Sequence, residues 1–196
     1  MLSTLGVNEA DDTTISIYPD NNDTAVAQEI INRLRLEETP NLCAFSPVSR
    51  RDYKRWPYQK YAHICDSLHE LHNIHFLPLF GPGEESAINA IVQQSRHPEA
   101  FKFPYSPPPF KSLCMLLKQC FFFFGNDNGI RHLAIAENMP TATIFGIPAP
   151  VMWTPPKNQM HKWIWGRDNI AYISENQVAD MLNSLLIQIR TEQQGE

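Results

Sequence analysis

The fold is decided by one stretch of sequence, C-F-F-F-F-G-N-D-N-G-I-R-H-L-A-I-A-E-N-M-P-T-A-T-I-F-G, residues 120–146. Its first five residues, 120–124, are apolar on both faces, which is typical of a strand buried inside a parallel sheet. A polar turn at 125–129 follows, then a helical segment, and then a second short strand at 141–145. Strand, turn, helix and strand in this order predict a βαβ unit with parallel strands and a right-handed crossover.

The rest of the chain continues the alternation of short apolar runs and amphipathic segments. The pattern predicts further strands at 42–46, 75–80 and 170–173, and helices at 23–36, from Pro57 onward, after 81–83, at 110–118 and from Ser174 to near Arg190. Gln177 stands three residues after Ser174, which is the spacing of a capping box. The proline-rich segment 104–109 is expected to be a stiff connection.

This alternation predicts a Rossmann-like α/β fold, a parallel sheet with helices on both faces. Residues 1–40 are predicted to form a linker-like segment with one helix, and residues 41–196 the sheet domain. With 196 residues, the chain is long enough for one self-sufficient core.

Composition excludes several classes of protein. The chain carries 16 Lys and Arg against 21 Asp and Glu, a formal charge of −5, so it lacks the broad basic face that nucleic acids require. No apolar stretch is long enough to cross a bilayer, and the N-terminus lacks the basic and apolar regions of a secretory signal, which favours the cytoplasm. Four cysteines in apolar segments are expected to be reduced core residues: Cys43, Cys65, Cys114 and Cys120.

Polar loops follow the predicted strands. They are P-V-S-R-R-D-Y-K-R-W-P at 47–57, G-P-G-E-E at 81–85, G-N-D-N-G at 125–129 and G-I-P-A-P at 146–150. Since ligands of open parallel sheets bind beyond the carboxyl ends of the strands, we expect these four loops to share one rim.

The G-N-D-N-G turn is the first candidate for ligand binding. Gly125 and Gly129 allow a tight turn or a close approach to a ligand, and the residues from Asn126 to Asn128 can cap the following helix. The amides of that helix's first turn would then favour a phosphate, although a helix cap without a ligand explains the same residues. Asp127 would disfavour an anion unless it faces a hydroxyl, such as that of a ribose or sugar.

Charged residues in the first two loops have two interpretations each. Lys54, within a run that includes Arg50, Arg51 and Arg55, can neutralise a diphosphate or belong to a solvated surface loop. Glu84 and Glu85 can bind ribose hydroxyls or complement the dipole of the helix that they begin.

Competing sites have weaker support. The sequence has no P-loop and no G-x-S-x-G nucleophile elbow. The spacing of four nearby histidines fits no common zinc pattern, so no metal is predicted at His63, His69, His72 and His75. Three tryptophans placed in the loop after Phe145 can stack on a base or cover the sheet edge, and we favour the second role: Trp153, Trp163 and Trp165.

Three segments, taken in order, resemble the C-terminal half of glycosyltransferase family 9. They are the loop at 47–57 with its K-R-W-P element, the segment L-P-L-F-G-P-G-E-E and the stretch from Asn126 to Gly146. The members of this family are the ADP-heptose lipopolysaccharide heptosyltransferases, and the resemblance spans roughly residues 42–190. It implies the GT-B architecture, in which a cleft separates two Rossmann-like domains and the C-terminal one binds the nucleotide sugar. Transfer then inverts the anomeric carbon without an obligatory metal or cofactor, in the cytoplasm or peripherally at the inner membrane.

The resemblance also assigns roles to individual residues. Ser49 and Lys54 would face the diphosphate, Glu84 or Glu85 the nucleoside, and Asp127 with the amides near Asn128 and Gly129 the sugar and phosphates. His132 would position the turn. The catalytic candidates are therefore Lys54 and Asp127, and the substrate-binding candidates are Ser49, Arg50, Glu84, Glu85, Asn126, Asn128, Gly129 and His132.

The sequence also departs from the family pattern. Arg50 and Arg51 stand where small hydroxyl residues are often found, so the donor sugar stays open. The family's N-terminal domain, with its acceptor site and aspartate general base, has no counterpart in the sequence. We therefore expect a donor-binding half that acts with such a domain or a partner chain, or else a non-catalytic module that binds a nucleotide or a protein.

Overall fold

The computed structural model describes residues 17–104, 106–147, 149–155 and 158–194. Residues 1–16, which belong to the predicted linker-like segment, lie outside the described residues. The helices are α1 (Asn21–Leu34), α2 (Tyr58–His72), α3 (Glu85–Gln94), α4 (Ser112–Leu117), α5 (Gly129–Ala136) and α6 (Glu175–Gln194). The strands are β1 (Leu42–Ser46), β2 (His75–Pro78), β3 (Phe122–Asn126), β4 (Thr141–Phe145) and β5 (His161–Trp165).

The five strands form one parallel sheet in the order β2-β1-β3-β4-β5. The chain leaves β1 toward β2 on one side, and β3 then pairs with the other side of β1. This reversal of strand order opens a crevice beyond the carboxyl ends of β1 and β3, where ligands of doubly wound sheets bind. The prediction of a Rossmann-like α/β fold is confirmed.

The core has two layers because the side chains of β3 alternate between the two sheet faces. Phe122 and Phe124 pack with residues of α2 and α6 on one face, and Phe123 packs with residues of α1, α4 and α5 on the other. All three rings are fully buried. The run of phenylalanines is thus explained by a central strand covered on both faces.

Helix α1 begins with a capping box, in which the carboxylates of Asp20 and Asp23 each accept the other residue's backbone N–H. Its buried residues Ala27, Ile30 and Ile31 belong to the same core layer as α4. The predicted helix of the linker-like segment therefore packs onto the sheet, while the linker role of residues 1–40 stays a prediction.

One predicted strand is wrong. Residues 170–173 were expected to be extended, but Ile170–Tyr172 is a 3-10 helix in which the Asn169 side chain accepts the N–H of Ala171 at 2.9 Å. Ile170 and Ile173 are buried, so their apolar signal reports core packing and not a strand. The fifth strand is instead β5, which pairs with β4 from Thr141↔His161 onward.

Other elements match the expectation with shifted ends. Strand β3 begins two residues later than predicted and includes Gly125 and Asn126, which were placed in the turn. Trp163 and Trp165 lie on edge strand β5, while Trp153 follows the 3-10 helix Pro150–Met152; the prediction that all three occupy a loop is wrong for the first two.

The predicted capping box of α6 is confirmed. The backbone N–H of Ser174 donates to Gln177 Oε1 at 2.9 Å, and the N–H of Gln177 donates to Ser174 Oγ at 3.3 Å. Of the four cysteines predicted to lie in the core, Cys43, Cys65 and Cys114 are buried and Cys120 is partly buried. Among the described helices, none has the length and apolar character needed to span a membrane.

Candidate functional site

A cavity of about 700 Å³ opens beyond the carboxyl ends of β1, β2 and β3, at the reversal of strand order. Its lining includes seven of the ten residues predicted as site residues: Ser49, Arg50, Lys54, Glu84, Asp127, Asn128 and Gly129. Three loops that lie far apart in the sequence thus meet at one rim. The basic residues Arg50, Arg51 and Lys54 outnumber the acidic residues Glu84 and Asp127 on its wall, in a chain whose overall charge is negative.

The centre of this cavity's polar wall is an ion pair between Lys54 and Asp127. Lys54 Nζ donates to Asp127 Oδ2 at 3.2 Å, with 20% of the lysine side chain and 9% of the aspartate side chain exposed. Asp127 Oδ1 is buried and accepts no hydrogen bond from any described residue. A carboxylate with one oxygen neutralised and the other lacking a donor is suited to accept a hydrogen bond from a ligand hydroxyl.

An arginine and a histidine lie near the second oxygen of Asp127. Arg131 Nη1 is 3.9 Å and His132 Nε2 is 3.8 Å from Asp127 Oδ1, both too far for a hydrogen bond. Burial lowers the pKa of His132, the charge of Arg131 lowers it further, and the Asp127 carboxylate opposes both effects. Burial also lowers the pKa of Arg131 to about 10, so its guanidinium keeps its charge at neutral pH.

Arg131 is the site residue that sequence reasoning missed. Its side chain is fully buried, with Nε donating to Thr143 Oγ1 at 3.0 Å, Nη1 to the Trp153 carbonyl at 3.0 Å and Nη2 to Thr154 Oγ1 at 2.6 Å. It therefore ties the start of α5 to the segment after β4 and adds positive charge behind Asp127. No sequence signal distinguished it from a solvated helix residue, because its partners come from a different loop.

Asn128 organises the beginning of α5. Its Oδ1 accepts the N–H groups of Ile130 and Arg131 at 3.0 and 3.1 Å, which confirms the predicted cap. Its Nδ2 donates to Ser46 Oγ and to the Val48 carbonyl, each at 2.9 Å. Because the cap satisfies the second and third amides of the helix, the amides of Asn128 and Gly129 are the ones left to face a ligand.

Glycines fix how closely the loops approach. A β-carbon on Gly125 would overlap the carbonyl of Ser46 on β1, so this glycine serves close packing of two strands and not a turn beside a ligand. A β-carbon on Gly146 would stand 3.0 Å from the Tyr53 carbonyl oxygen and 3.4 Å from Lys54 Cα. Gly146, which directly follows β4, therefore allows the Lys54 loop to lie against the sheet.

Three predicted residues do not line the cavity. Asn126 is fully buried in β3, where its Nδ2 donates to the Ile144 carbonyl at 3.2 Å. Glu85 is the first residue of α3, a position that favours the second interpretation of this residue, in which its charge complements the helix dipole. His132 lies behind Asp127, with its ring 5.9 Å from that of Trp153.

Glu84 lies on the cavity wall, and its carboxylate bonds to the backbone of its own loop. Its Oε2 accepts the N–H of Gly81 at 2.8 Å, which holds the loop after β2 in a closed turn. Across the cavity, Pro107, Pro108, Pro109 and Phe110 form an apolar wall. The proline-rich segment, expected only as a stiff connection, thus supplies one side of the site.

Comparison with known proteins identifies a family and a fold for this chain. The sequence model of Glycosyltransferase family 9 (heptosyltransferase) matches residues 10–179. Lipopolysaccharide heptosyltransferase 3 of Escherichia coli is 26% identical over 130 residues, which are 65% of this chain and 37% of that protein.

Two solved structures share the fold. A glycosyl transferase family 9 protein from Veillonella parvula superimposes with a TM-score of 0.78 at 22% identity, covering 95% of this chain and 58% of that one. The E. coli ADP-heptose lps heptosyltransferase II superimposes with a TM-score of 0.70 at 20% identity, covering 87% of this chain and 53% of that one.

The chain therefore spans about a third of the curated relative's length and just over half of each solved chain. The family match covers most of the chain, in agreement with the fold and with the order of the loops that form the cavity. On this evidence the chain belongs to glycosyltransferase family 9, the heptosyltransferase family.

Proposed function

We propose that this chain is the donor-binding half of an inverting, metal-independent glycosyltransferase that uses an ADP-heptose-like nucleotide sugar in lipopolysaccharide or related glycan synthesis. The observation that carries the proposal is the Lys54–Asp127 pair at 3.2 Å on the cavity wall. It places an ammonium for a diphosphate beside a carboxylate for a sugar hydroxyl, as a nucleotide sugar requires.

Binding of the diphosphate follows from the groups around the pair. Lys54 would exchange the Asp127 carboxylate for phosphate oxygens, and Arg50 and Arg51 would add charge at the same rim. The backbone N–H groups of Asn128 and Gly129, at the positive end of α5, would donate hydrogen bonds to the second phosphate. These same groups would stabilise the negative charge that develops on the departing diphosphate, which is how electrostatic stabilisation lowers the barrier to transfer.

Recognition of the sugar would fall to Asp127. Once Lys54 turns to the diphosphate, both carboxylate oxygens can accept hydroxyl donors, and Oδ1 already lacks a hydrogen-bond partner among the described residues. Asp127 would thus orient the sugar whose anomeric carbon reacts.

The class of donor is supported by the relatives. The E. coli protein that shares the fold is named for ADP-heptose, and the curated relative is a lipopolysaccharide heptosyltransferase. The acceptor site and the general base would come from an N-terminal glycosyltransferase domain or from a partner chain.

Calorimetric titration with ADP and with an ADP-sugar tests the proposal. Replacing Lys54 by alanine removes a charge-assisted contact worth about 1.5–3 kcal/mol, so we expect ADP to bind roughly 10- to 150-fold more weakly. Asp127→Asn removes a negative charge next to the diphosphate, so ADP should bind equally well or more tightly. The additional affinity for the sugar portion should be lost in this variant.

Lys118→Ala is the matched control. Lys118 is also a lysine, its side chain is 59% exposed, and it lines a separate pocket at the amino ends of the strands. Equal heats from the wild type, Lys54→Ala and Lys118→Ala would contradict the proposal. Tight ADP binding without transfer, even after a matching N-terminal domain is added, would favour the non-catalytic binding module instead.

A further inference from the structure

A cluster of histidine and carboxylate side chains lies at the opposite end of the sheet from the donor cavity. It joins His69, in the last turn of α2, to His97 and Glu99, which flank the start of the 3-10 helix Pro98–Ala100. One potential ligand atom from each of the three residues lies within 4.8 Å of the others. We propose that His69, His97 and Glu99 bind a divalent transition-metal ion of the Zn²⁺ class, at a site separate from the donor cavity.

The hydrogen bond made by His69 leaves the correct nitrogen for a metal. His69 Nδ1 lies 3.0 Å from the carbonyl oxygen of Ile74, and because a carbonyl can only accept, Nδ1 carries the proton. In the neutral ring, Nε2 then keeps its lone pair. Histidines that bind metals almost always have this arrangement, in which the second nitrogen donates to a carbonyl or carboxylate.

His97 lies between two carboxylates. Its Nδ1 is 3.1 Å from Glu99 Oε1, and its Nε2 is 2.9 Å from Glu70 Oε1. Two ligand atoms on a tetrahedron with bonds of about 2.05 Å are roughly 3.3 Å apart, so the Nδ1–Oε1 separation suits a metal in place of the shared proton. Glu70 would then accept the remaining N–H as the outer partner of a carboxylate–histidine–metal arrangement.

The segment that carries His97 and Glu99 is held in place by contacts outside the cluster. The fully buried Asp66 carboxylate accepts hydrogen bonds from Ser95 Oγ at 2.5 Å and from the backbone N–H of Arg96 at 3.1 Å. Ser95 Oγ in turn accepts the N–H of His97 at 3.0 Å. Past the cluster, the backbone N–H of Lys102 donates to the Phe76 carbonyl at 2.7 Å.

Such support on both sides is what a metal site requires, because ligands held in position lose little freedom on binding. Two imidazoles and one carboxylate are ligands typical of Zn²⁺, and three protein ligands leave one position for water. The charges nearby also favour a cation, because three carboxylates lie close together. The Arg96 guanidinium pairs with Asp66 and Glu70, whereas among the described residues the ion-pair partner of Glu99 is His97. The metal would connect the end of α2 to the segment after α3.

The test uses the full chain without a histidine tag, freed of metal by chelation. Titration with Zn²⁺ should give one site per chain and raise the thermal midpoint, because a metal bound only to the folded chain stabilises it. Co²⁺ should produce the intense visible bands of a tetrahedral site. We expect His97→Ala and Glu99→Gln each to lose these bands and to weaken Zn²⁺ binding more than 10-fold, and Glu70→Gln to weaken it roughly 10- to 100-fold.

His63→Ala is the matched control, since His63 is also on α2 but pairs with Glu175 at 3.2 Å. It should bind Zn²⁺ like the wild type. Glu99→Gln guards against loss of folding, because the Glu99 side chain is 66% exposed and the change is nearly isosteric. No Zn²⁺ binding by the wild type, or equal affinity in the wild type, His97→Ala and Glu99→Gln, would overturn the proposal.

Discussion

Gly125 and Gly129 bracket the same turn, and the structure predicts opposite consequences for replacing each of them by alanine. A β-carbon on Gly125 would overlap the Ser46 carbonyl of the neighbouring strand, where Ser46 and Gly125 are direct partners in the ladder. Backbone atoms of a central strand cannot rotate away. Overpacking costs about 1–3 kcal/mol, and we expect the upper part of this range, about 2–3 kcal/mol.

That loss is a large share of the total stability of a domain, about 5–15 kcal/mol. A change of 1 kcal/mol shifts the thermal midpoint by roughly 2–4 °C at this chain length, so Gly125→Ala should lower the midpoint by about 4–12 °C. Urea unfolding followed by tryptophan fluorescence should show the same loss as a lower midpoint concentration with an unchanged slope.

Gly129→Ala is the matched control. Outside its chain neighbours and its own helix backbone, no heavy atom of the described residues lies within 4 Å of the position that its β-carbon would take, and the residue is the first of α5. Alanine is favoured over glycine in helices by up to about 1 kcal/mol, so stability should be unchanged or slightly higher. The new methyl group would, however, stand at the cavity wall, and under the proposed function ADP should bind more weakly to this variant.

The pair of variants therefore separates packing from ligand binding. If Gly125→Ala were as stable as Gly129→Ala, the close approach of β1 and β3 would not be what requires glycine. If Gly129→Ala bound ADP as tightly as the wild type, the start of α5 would not be part of the donor site.

Three further predictions test the electrostatics and the cap. Asp127→Asn should lower the pKa of His132 further, because the Asp127 carboxylate raises this pKa. Lys54→Ala should raise the pKa of His132, because the charge of Lys54 lowers it. NMR titration of the imidazole measures both shifts, and shifts of the same sign would contradict the arrangement. Burial and the charge of Arg131 lower the pKa of His161 to about 4 from 6.5, so the unfolded chain binds more protons between these values. The free energy of unfolding should consequently rise with pH across that window, by up to about 3 kcal/mol, and His161→Gln should flatten this slope in urea unfolding experiments. Asn128→Ala should cost at least the ~0.5–2 kcal/mol of a lost cap, and Asn128→Asp, which keeps the cap but loses the donors to Ser46 and Val48, should retain part of that stability in the same experiments.

Much of the fold could be predicted because its signals are local. The apolar runs of β1 and β4 and the capping box of α6 are each readable within a few residues. The strand at 170–173 was predicted wrongly because the apolar residues Ile170 and Ile173 form a pattern that is also typical of a buried strand. The Asn169 side chain instead accepts the N–H of Ala171 and stabilises a turn. Strand β5 was missed because its sequence, H-K-W-I-W, lies at an edge of the sheet, where four of its five residues stay partly or fully exposed.

The candidate site shows the same division. The four loops that follow strands were predicted to converge, and the contact of Lys54 with Asp127 across 73 positions of sequence confirms that expectation for the loops after β1 and β3. The partners of Arg131 and the apolar wall of Pro107–Phe110 could not be predicted, because they depend on how distant loops fold back over the sheet. The proposed metal ligands could not be grouped from the sequence for the same reason, since His97 lies 28 residues after His69.

The geometry of the Lys54 loop is set by contacts of its backbone with Asn128 and Gly146. At its start, the Val48 carbonyl accepts from Asn128 Nδ2, and toward its end the backbone of Tyr53 and Lys54 lies against Gly146. Both supports belong to the β3–α5–β4 unit, which also carries Asp127. The distance between the ammonium and the carboxylate is therefore determined by backbone packing and not by the flexible lysine side chain alone, and a site built in this way is organised before its ligand arrives.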